Sequence, residues 1–276
     1  MKLNIGFSTC PNDTFMFDAM VNGRIDTEGL QFDPVLADIE NLNQYALAAE
    51  LDVLKISYAA YPGVSEHYQI LNSGSALGYA NGPLLVSKHK IYPDEVNDLR
   101  VAIPGENTTA NLLLSIAYPE IKQKKVYLFS DIEEVVLSGE ADAGLLIHEN
   151  RFTYQDRGLK LIIDLGTWWE KETGLPIPLG GIMVKRTLPQ TTKEIVNRVL
   201  FNSVSFAMEH PSAGMDYIKH HAQSMKDDVV QKHIKLYVND YSLNLGNKGR
   251  EAIDGFFERA LEHQKIKHLT QPIFAI

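Results

Sequence analysis

Leu3, Ile5 and Phe7 alternate with polar or small residues, the two-residue period of a strand with one buried face. A Pro-Asn-Asp turn follows at 11–13, and residues 14–21 suit a helix. Residues 30–36 are strand-like again. Asp38 then stands as the N-cap of a helix through Glu50, because Ile39, Leu42, Tyr45, Ala46 and Ala49 share one helical face. Residues 53–56 form a short strand of the buried type, and Ser57 stands where the next helix can start. A second series follows. Residues 82–87 and 99–103 read as strands, and an apolar helix begins near Ala110. Strands are expected at 126–129, 143–147 and 161–165, with a short helix at 131–138. Residues 175–181 form a Pro/Gly connector before a strand at 182–185. Beyond it the pattern is helical, opened by a Thr-Thr-Lys-Glu capping box at 191–194.

Strands alternating with helices predict an α/β protein with mostly parallel sheets flanked by helices. Two such series joined by two connectors, with a helical C-terminal tail, predict the two-lobed type II periplasmic-binding-protein-like fold. A length of 276 residues suits two lobes. Residues 1–90 with 181–276 are expected to form the larger, discontinuous lobe and 91–180 the smaller. A ligand would then lie between them, at carboxyl strand ends facing helix N-termini.

Composition narrows the function. The net charge is −9 and no basic stripe occurs, which argues against nucleic acid. The run Lys122-Gln123-Lys124-Lys125 suits a solvated loop. An anionic ligand would have to rely on local donors. No stretch approaches the roughly 20 apolar residues of a membrane span. Cys10 is the single cysteine, so no disulfide forms within the chain; with a first strand that begins at the N-terminus, a cytoplasmic setting is expected. Histidine and cysteine spacings give no metal site: His220 and His221 diverge on a helix, and His233 falls on an apolar helical face as a core residue would. Neither a Gly-x-Ser-x-Gly elbow nor a Gly-x-Gly-x-x-Gly loop is present.

Four segments carry candidate chemistry. Ser8-Thr9-Cys10-Pro11-Asn12-Asp13-Thr14-Phe15 follows the first strand. Its Ser8, Thr9 and Asn12 offer hydrogen bonds, although a turn and helix cap explain the pattern more simply. Lys55-Ile56-Ser57-Tyr58 ends the next strand, where Ser57 and the following N–H groups suit an anion; Ser57 as a cap is compatible with this. Gly105 to Ala110 is the matching turn of the second series, with Thr108 or Thr109 as N-cap. His148 ends the apolar strand at 143–147, a position that suits a general base working near neutral pH. A histidine bonded to a nearby carbonyl fits that position equally. Trp168 and Trp169 suit either a cleft wall or core packing.

These segments, together with Lys55-Ile56-Ser57-Tyr58-Ala59-Ala60, Leu146-Ile147-His148-Glu149, Arg151-Phe152-Thr153-Tyr154 and Gly174-Leu175-Pro176-Ile177-Pro178-Leu179-Gly180, resemble the 1,4-dihydroxy-6-naphthoate synthases of the futalosine route to menaquinone. The resemblance runs nearly end to end in order and spacing, and the His-Glu-x-Arg-Phe-Thr-Tyr block is its most specific motif. It implies conversion of cyclic dehypoxanthine futalosine to 1,4-dihydroxy-6-naphthoate with release of the sugar-derived part. That reaction is a cofactor-independent elimination by a lyase, with no metal. The resemblance also implies that His148 is the catalytic base and that Lys55, Ile56, Ser57, Thr109 and Ala110 contact a small anionic substrate. Asn12, Asn43 and Arg151 are further candidates. Chorismate dehydratase, a sister family of the same fold, has an Ile-Gly-Asp pattern in place of Leu146-Ile147-His148. A solute-binding protein for a small organic anion would share the fold without needing the histidine block.

Overall fold

The computed structural model describes residues 1–222, 226–266 and 269–276. The first series comprises β1 (Lys2–Phe7), α1 (Pro11–Val21), β2 (Gln31–Leu36), α2 (Ile39–Leu47), β3 (Val53–Ser57), α3 (Tyr61–Val64), β4 (Tyr68–Ile70) and β5 (Ala76–Gly78). The chain crosses and builds β6 (Leu84–Ser87), β7 (Arg100–Ile103), α4 (Thr109–Ala117), β8 (Gln123–Val126), α5 (Ile132–Ser138), β9 (Ala143–Leu146), α6 (Asn150–Thr153), β10 (Lys160–Asp164) and α7 (Leu165–Thr173). It returns along β11 (Ile177–Lys185) and ends in α8 (Gln190–Glu209), α9 (Met215–His221), α10 (Asp227–Tyr237), α11 (Asp240–Leu243) and α12 (Gly246–Glu262).

Two sheets result. One has the order β2-β1-β3-β11-β4, with β5 also paired to β11; the other has the order β10-β6-β9-β7-β8. Both are mixed rather than mostly parallel. The parallel pairs are β1 with β2 and β3, and β7 with β8 and β9. The strands next to the crossings, β6 and β11, enter antiparallel to their neighbours. A βαβ unit forces a parallel pair, whereas a strand arriving from the other sheet carries no such constraint. For the same reason the lobe limits of 90 and 181 differ from sheet membership. β6 at 84–87 belongs to the second sheet, and β11 already starts at Ile177 in the first. An apolar run such as Leu84-Leu85-Val86 shows that a strand is buried, not which sheet it joins. Pro178 is accommodated where the register between β11 and β5 shifts.

Local caps explain several boundaries. Asp38 accepts hydrogen bonds from the N–H groups of Glu40 and Asn41 and starts α2 as expected. Thr108 accepts from Asn111 and starts α4, and Asp164 accepts from Gly166 and Thr167 and starts α7. The capping box expected at 191–194 is not used; α8 starts after Pro189 with no side-chain cap. Helix α1 begins at Pro11, whose missing N–H costs nothing in a first turn, and is buried from Pro11 to Met20. It packs against α8, α9 and α10, so its early residues are held rigidly at the end of β1. Trp169 is fully buried against Phe256 and its indole N–H points at the Pro176 carbonyl, while Trp168 is partly buried against the same core. Both tryptophans therefore pack in the core and neither walls the cleft.

Candidate active site

The ends of β1, β3 and β9, the start of α4, the middle of β11 and one face of α10 enclose a cleft. It holds about 660 Å³ of free space, its mouth included, which suits a small organic molecule. No helix among the described residues is long and apolar enough to cross a membrane, and no described cluster of three or more His, Cys, Asp or Glu is placed to hold a metal ion.

On the floor, Asp13 is buried and accepts four hydrogen bonds. They come from the Ser8 N–H at 3.2 Å, the Ser8 hydroxyl at 2.7 Å, the Asn12 amide at 2.8 Å and the Lys55 ammonium at 2.9 Å. The Asp13–Lys55 pair is almost wholly shielded from water. A buried ion pair is tolerable when its remaining lone pairs are bonded, as they are here. Asn12 and Lys55 line the cleft as expected, and Asp13 joins them. Ile56 turns its side chain into the core, buried in the cluster that holds Leu54 and Tyr58.

A second wall carries Ser57 and the start of α4. Ser57 donates its N–H to Asn43 Oδ1 at 2.9 Å, and Asn43 Nδ2 donates back to the Ser57 hydroxyl at 3.2 Å. Asn43 thus acts through Ser57 and does not itself line the cleft. Facing it, the Thr109 hydroxyl donates to the Leu179 carbonyl at 2.6 Å and accepts from the Ala59 N–H at 3.2 Å. Thr109 and Ala110 occupy the first turn of α4, where backbone N–H groups have no intrahelical acceptor. Ser57, Thr109 and Ala110 therefore come together around one space. The Asn107 amide, reaching Glu40 at 2.7 Å, adds a further link between the two sheets' layers.

The third wall carries His148. Its backbone adopts φ = +58°, a left-handed conformation that costs a non-glycine residue energy and recurs at functional sites. Its Nδ1 lies 3.4 Å from Cys10 Sγ, and its ring meets Phe129 edge-on at 4.9 Å. Desolvation pulls the imidazole down to about 4; the charge on Asp13 opposes this and that on Lys55 adds to it. His148 is therefore neutral around pH 7. Burial and the charge of Glu149 push the Cys10 thiol up, so its proton stays on. Glu149 is itself raised by burial and does not line the cleft.

His233 is where sequence reasoning fell short. It is packed as expected, 4.6 Å from the Tyr237 ring, but it also lines the cleft with its ring 6.2 Å from that of His148 and inclined by 20°. Tyr237, Asn81 and Asp13 are further lining residues that local patterns did not single out. The one available signal was the 233/237 spacing, which puts a histidine and a tyrosine on the same helical face. Arg151 lies outside the cleft lining. It donates to the carbonyls of Ala80 and Gly82 and pairs with Asp164 at 3.2 Å, which pins the crossing between the sheets.

A crystal structure of a protein from Archaeoglobus fulgidus superposes with a TM-score of 0.91 at 36% identity, covering 96% of this chain and 98% of that one. The alkanesulfonate-binding protein of Xanthomonas axonopodis superposes with 0.73 at 12% identity over 99% and 97% of the two chains, a likeness of fold alone. Two relatives are named 1,4-dihydroxy-6-naphtoate synthase. One, from Thermus thermophilus, is 42% identical over 99% of this chain and 98% of its own. The other, from Streptomyces coelicolor, is 40% identical over 94% and 92%. The family model described as menaquinone biosynthesis matches residues 3–262. With a match of that extent, the chain belongs to the menaquinone biosynthesis family.

Proposed function

We propose that this protein is a 1,4-dihydroxy-6-naphthoate synthase that converts cyclic dehypoxanthine futalosine by a base-initiated elimination. The observation that carries the reading is His148, a neutral imidazole on the wall of a shielded cleft, opposite the anchor formed by Ser57 and the α4 N-terminus. The names and extended identity of the two synthases support it. The reading brings with it a lyase without metal or organic cofactor, a small anionic substrate and a cytoplasmic setting.

The geometry supports an anchored, base-initiated course. Ser57 and the free N–H groups of Thr109 and Ala110 hold the substrate carboxylate, since a helix N-terminus favours negative charge. In the tautomer whose Nδ1–H faces the Cys10 sulfur, 3.4 Å away, Nε2 is the acceptor. Nε2 removes the proton next to a carbonyl, and the electron pair moves through the ring system to expel the sugar-derived part. Aromatisation supplies the driving force, so positioning and exclusion of water are the main demands on the protein. The two sheets belong to two lobes that close on the substrate. Contacts such as Cys10 with His148 and Thr109 with Ala59 already bridge the cleft, as a closed arrangement requires.

Incubation of the purified protein with cyclic dehypoxanthine futalosine and detection of the naphthoate by mass spectrometry test the proposal. Loss of water from chorismate would support the dehydratase instead. Tight binding of an organic anion with no turnover of either compound would support a binding protein.

A further inference from the structure

Among the described residues, Asn81 and His233 stand out by what they lack. Asn81 is 1% exposed and His233 0%, yet Oδ1 and Nδ2 of Asn81 and both ring nitrogens of His233 have no hydrogen-bond partner. Most buried polar groups in folded proteins are paired, and an unpaired one carries a free-energy cost. Here four such atoms, on two side chains far apart in sequence, border the same cleft. Neither side chain belongs to the anchor or acts as the base.

Both are held in place. The Ala80 and Gly82 carbonyls on either side of Asn81 accept from Arg151, and the Ala80 N–H donates to Glu170 at 2.6 Å. Gly82 packs so closely on Gly166 that an added Cβ would stand 2.3 Å from the Gly166 Cα, so only glycine permits this crossing. His233 is fixed between the rings of Tyr237, Phe152 and His148. Donors and acceptors that are already desolvated and immobile lose little on binding a ligand.

We propose that Asn81 and His233 form a second polar subsite, which binds the hydroxyl groups of the sugar-derived part of the substrate. The chemistry points to neutral hydroxyls. An amide presents donors and an acceptor, and a neutral imidazole presents one of each, which matches groups that both donate and accept. A bare anion would meet the Asn81 carbonyl oxygen and the imidazole lone pair. A cation would have to shed its hydration where burial, and after it His148 and Lys55, already disfavour a protonated His233. Burial keeps His233 neutral, so it works as a binding group while His148 takes the proton.

This subsite rests on the synthase reading, and one experiment separates the two. Asn81→Leu and His233→Phe are compared with the wild type for kcat/KM on cyclic dehypoxanthine futalosine. The inhibition constant of 1,4-dihydroxy-6-naphthoate, which lacks the sugar, is measured alongside. Each variant is expected to lose about 10- to 100-fold in kcat/KM, with product inhibition unchanged. The melting temperature should hold or rise, because an unpaired buried polar group has been removed. His233→Gln, which keeps a donor and an acceptor, should recover part of the loss and guards against a misfolded His233→Phe. Equal weakening of substrate and product, or unchanged kcat/KM in both variants, overturns the subsite alone. Absence of turnover by the wild type overturns the synthase reading and the subsite with it.

Discussion

The anchor wall and the base wall of the cleft are built in opposite ways. Around Ser57 and Thr109 each side-chain hydroxyl has a protein partner, and the groups left for a ligand are the Ser57 O–H and the backbone N–H groups at a helix start. Around His148 the backbone is strained, the imidazole is desolvated, and the neighbouring His233 has unpaired nitrogens. The first wall has its side-chain hydroxyls partnered without a ligand, as suits the holding role proposed for it. The second stores unfavourable interactions that a substrate can relieve, as a reacting centre requires.

The difference is sharpest at His148 itself. His148→Asn should keep the fold and still bind substrate, yet lose about 10²–10⁴-fold in kcat, the usual cost of a lost general base. Single-turnover kinetics with circular dichroism as a fold control would check this. Near-normal turnover would demote His148 to a structural residue and erase the contrast between the walls.

The floor between the walls responds in stability first. Lys55→Met leaves Asp13 charged and buried without its cation, a change that costs about 3–5 kcal/mol when one partner of a buried pair is removed. Denaturant unfolding measures it. The double variant Lys55→Met with Asp13→Asn should recover most of that loss, whereas activity should stay low in both if Lys55 also meets the substrate.

On the anchor wall, Ser57→Ala should weaken substrate binding by about 1–3 kcal/mol with a much smaller fall in kcat. KM and product inhibition would both move. If kcat falls instead while binding holds, the two walls share one function and the comparison fails.

Acidity probes the base wall alone. A histidine at a strand end is expected from sequence to titrate near neutrality, so that the rate would rise through that range. In the structure, desolvation instead pulls His148 down to about 4. The protonated imidazole cannot act as a base. Therefore kcat/KM should rise with pH through about 4 and stay flat across neutrality. Stability has the same sign: a histidine depressed in the folded state costs stability as pH falls from its unfolded value of about 6.5 through about 4. A pH series of kcat/KM decides the matter. A break near 6.5 would mean that the free protein keeps His148 in water, in an open state of the lobes.

The same contrast explains what was legible in the sequence. The anchor wall is assembled from strand-to-helix turns, and such turns leave local marks: Ser57 after a buried strand, and Thr108-Thr109-Ala110 before an apolar helix. The two-lobed α/β fold was legible for the same reason, since periodicity marks each unit. His148 was visible because it ends a strand. Its partners were not, because Cys10 and His233 reach it from elements 138 and 85 residues away in sequence. Nothing local to α10 shows that its apolar face meets a cleft rather than a closed core. Sheet membership of β6 and β11 was hidden likewise, since burial leaves the pairing partner open.

The smallest effect is expected at Cys10, and it tests how the base wall is tuned. The thiol stays protonated and His148 stays neutral, so their contact is between uncharged groups and is weak. Its value lies in choosing a tautomer. If Nδ1–H faces sulfur, Nε2 carries the lone pair and can accept the substrate proton. If the thiol donates to Nδ1 instead, Nε2 bears hydrogen and cannot act until the ring exchanges its proton. Cys10→Ala removes this bias without adding bulk, and should lower kcat by about 2- to 10-fold while leaving KM alone. Nitrogen-15 chemical shifts of His148 report the tautomer directly. The wild type should show Nδ1 protonated, and Cys10→Ala should show a mixture. An Nε2–H tautomer in the wild type, unchanged in Cys10→Ala, would mean that sulfur does not orient the base and that His148 depends on the substrate to set its proton.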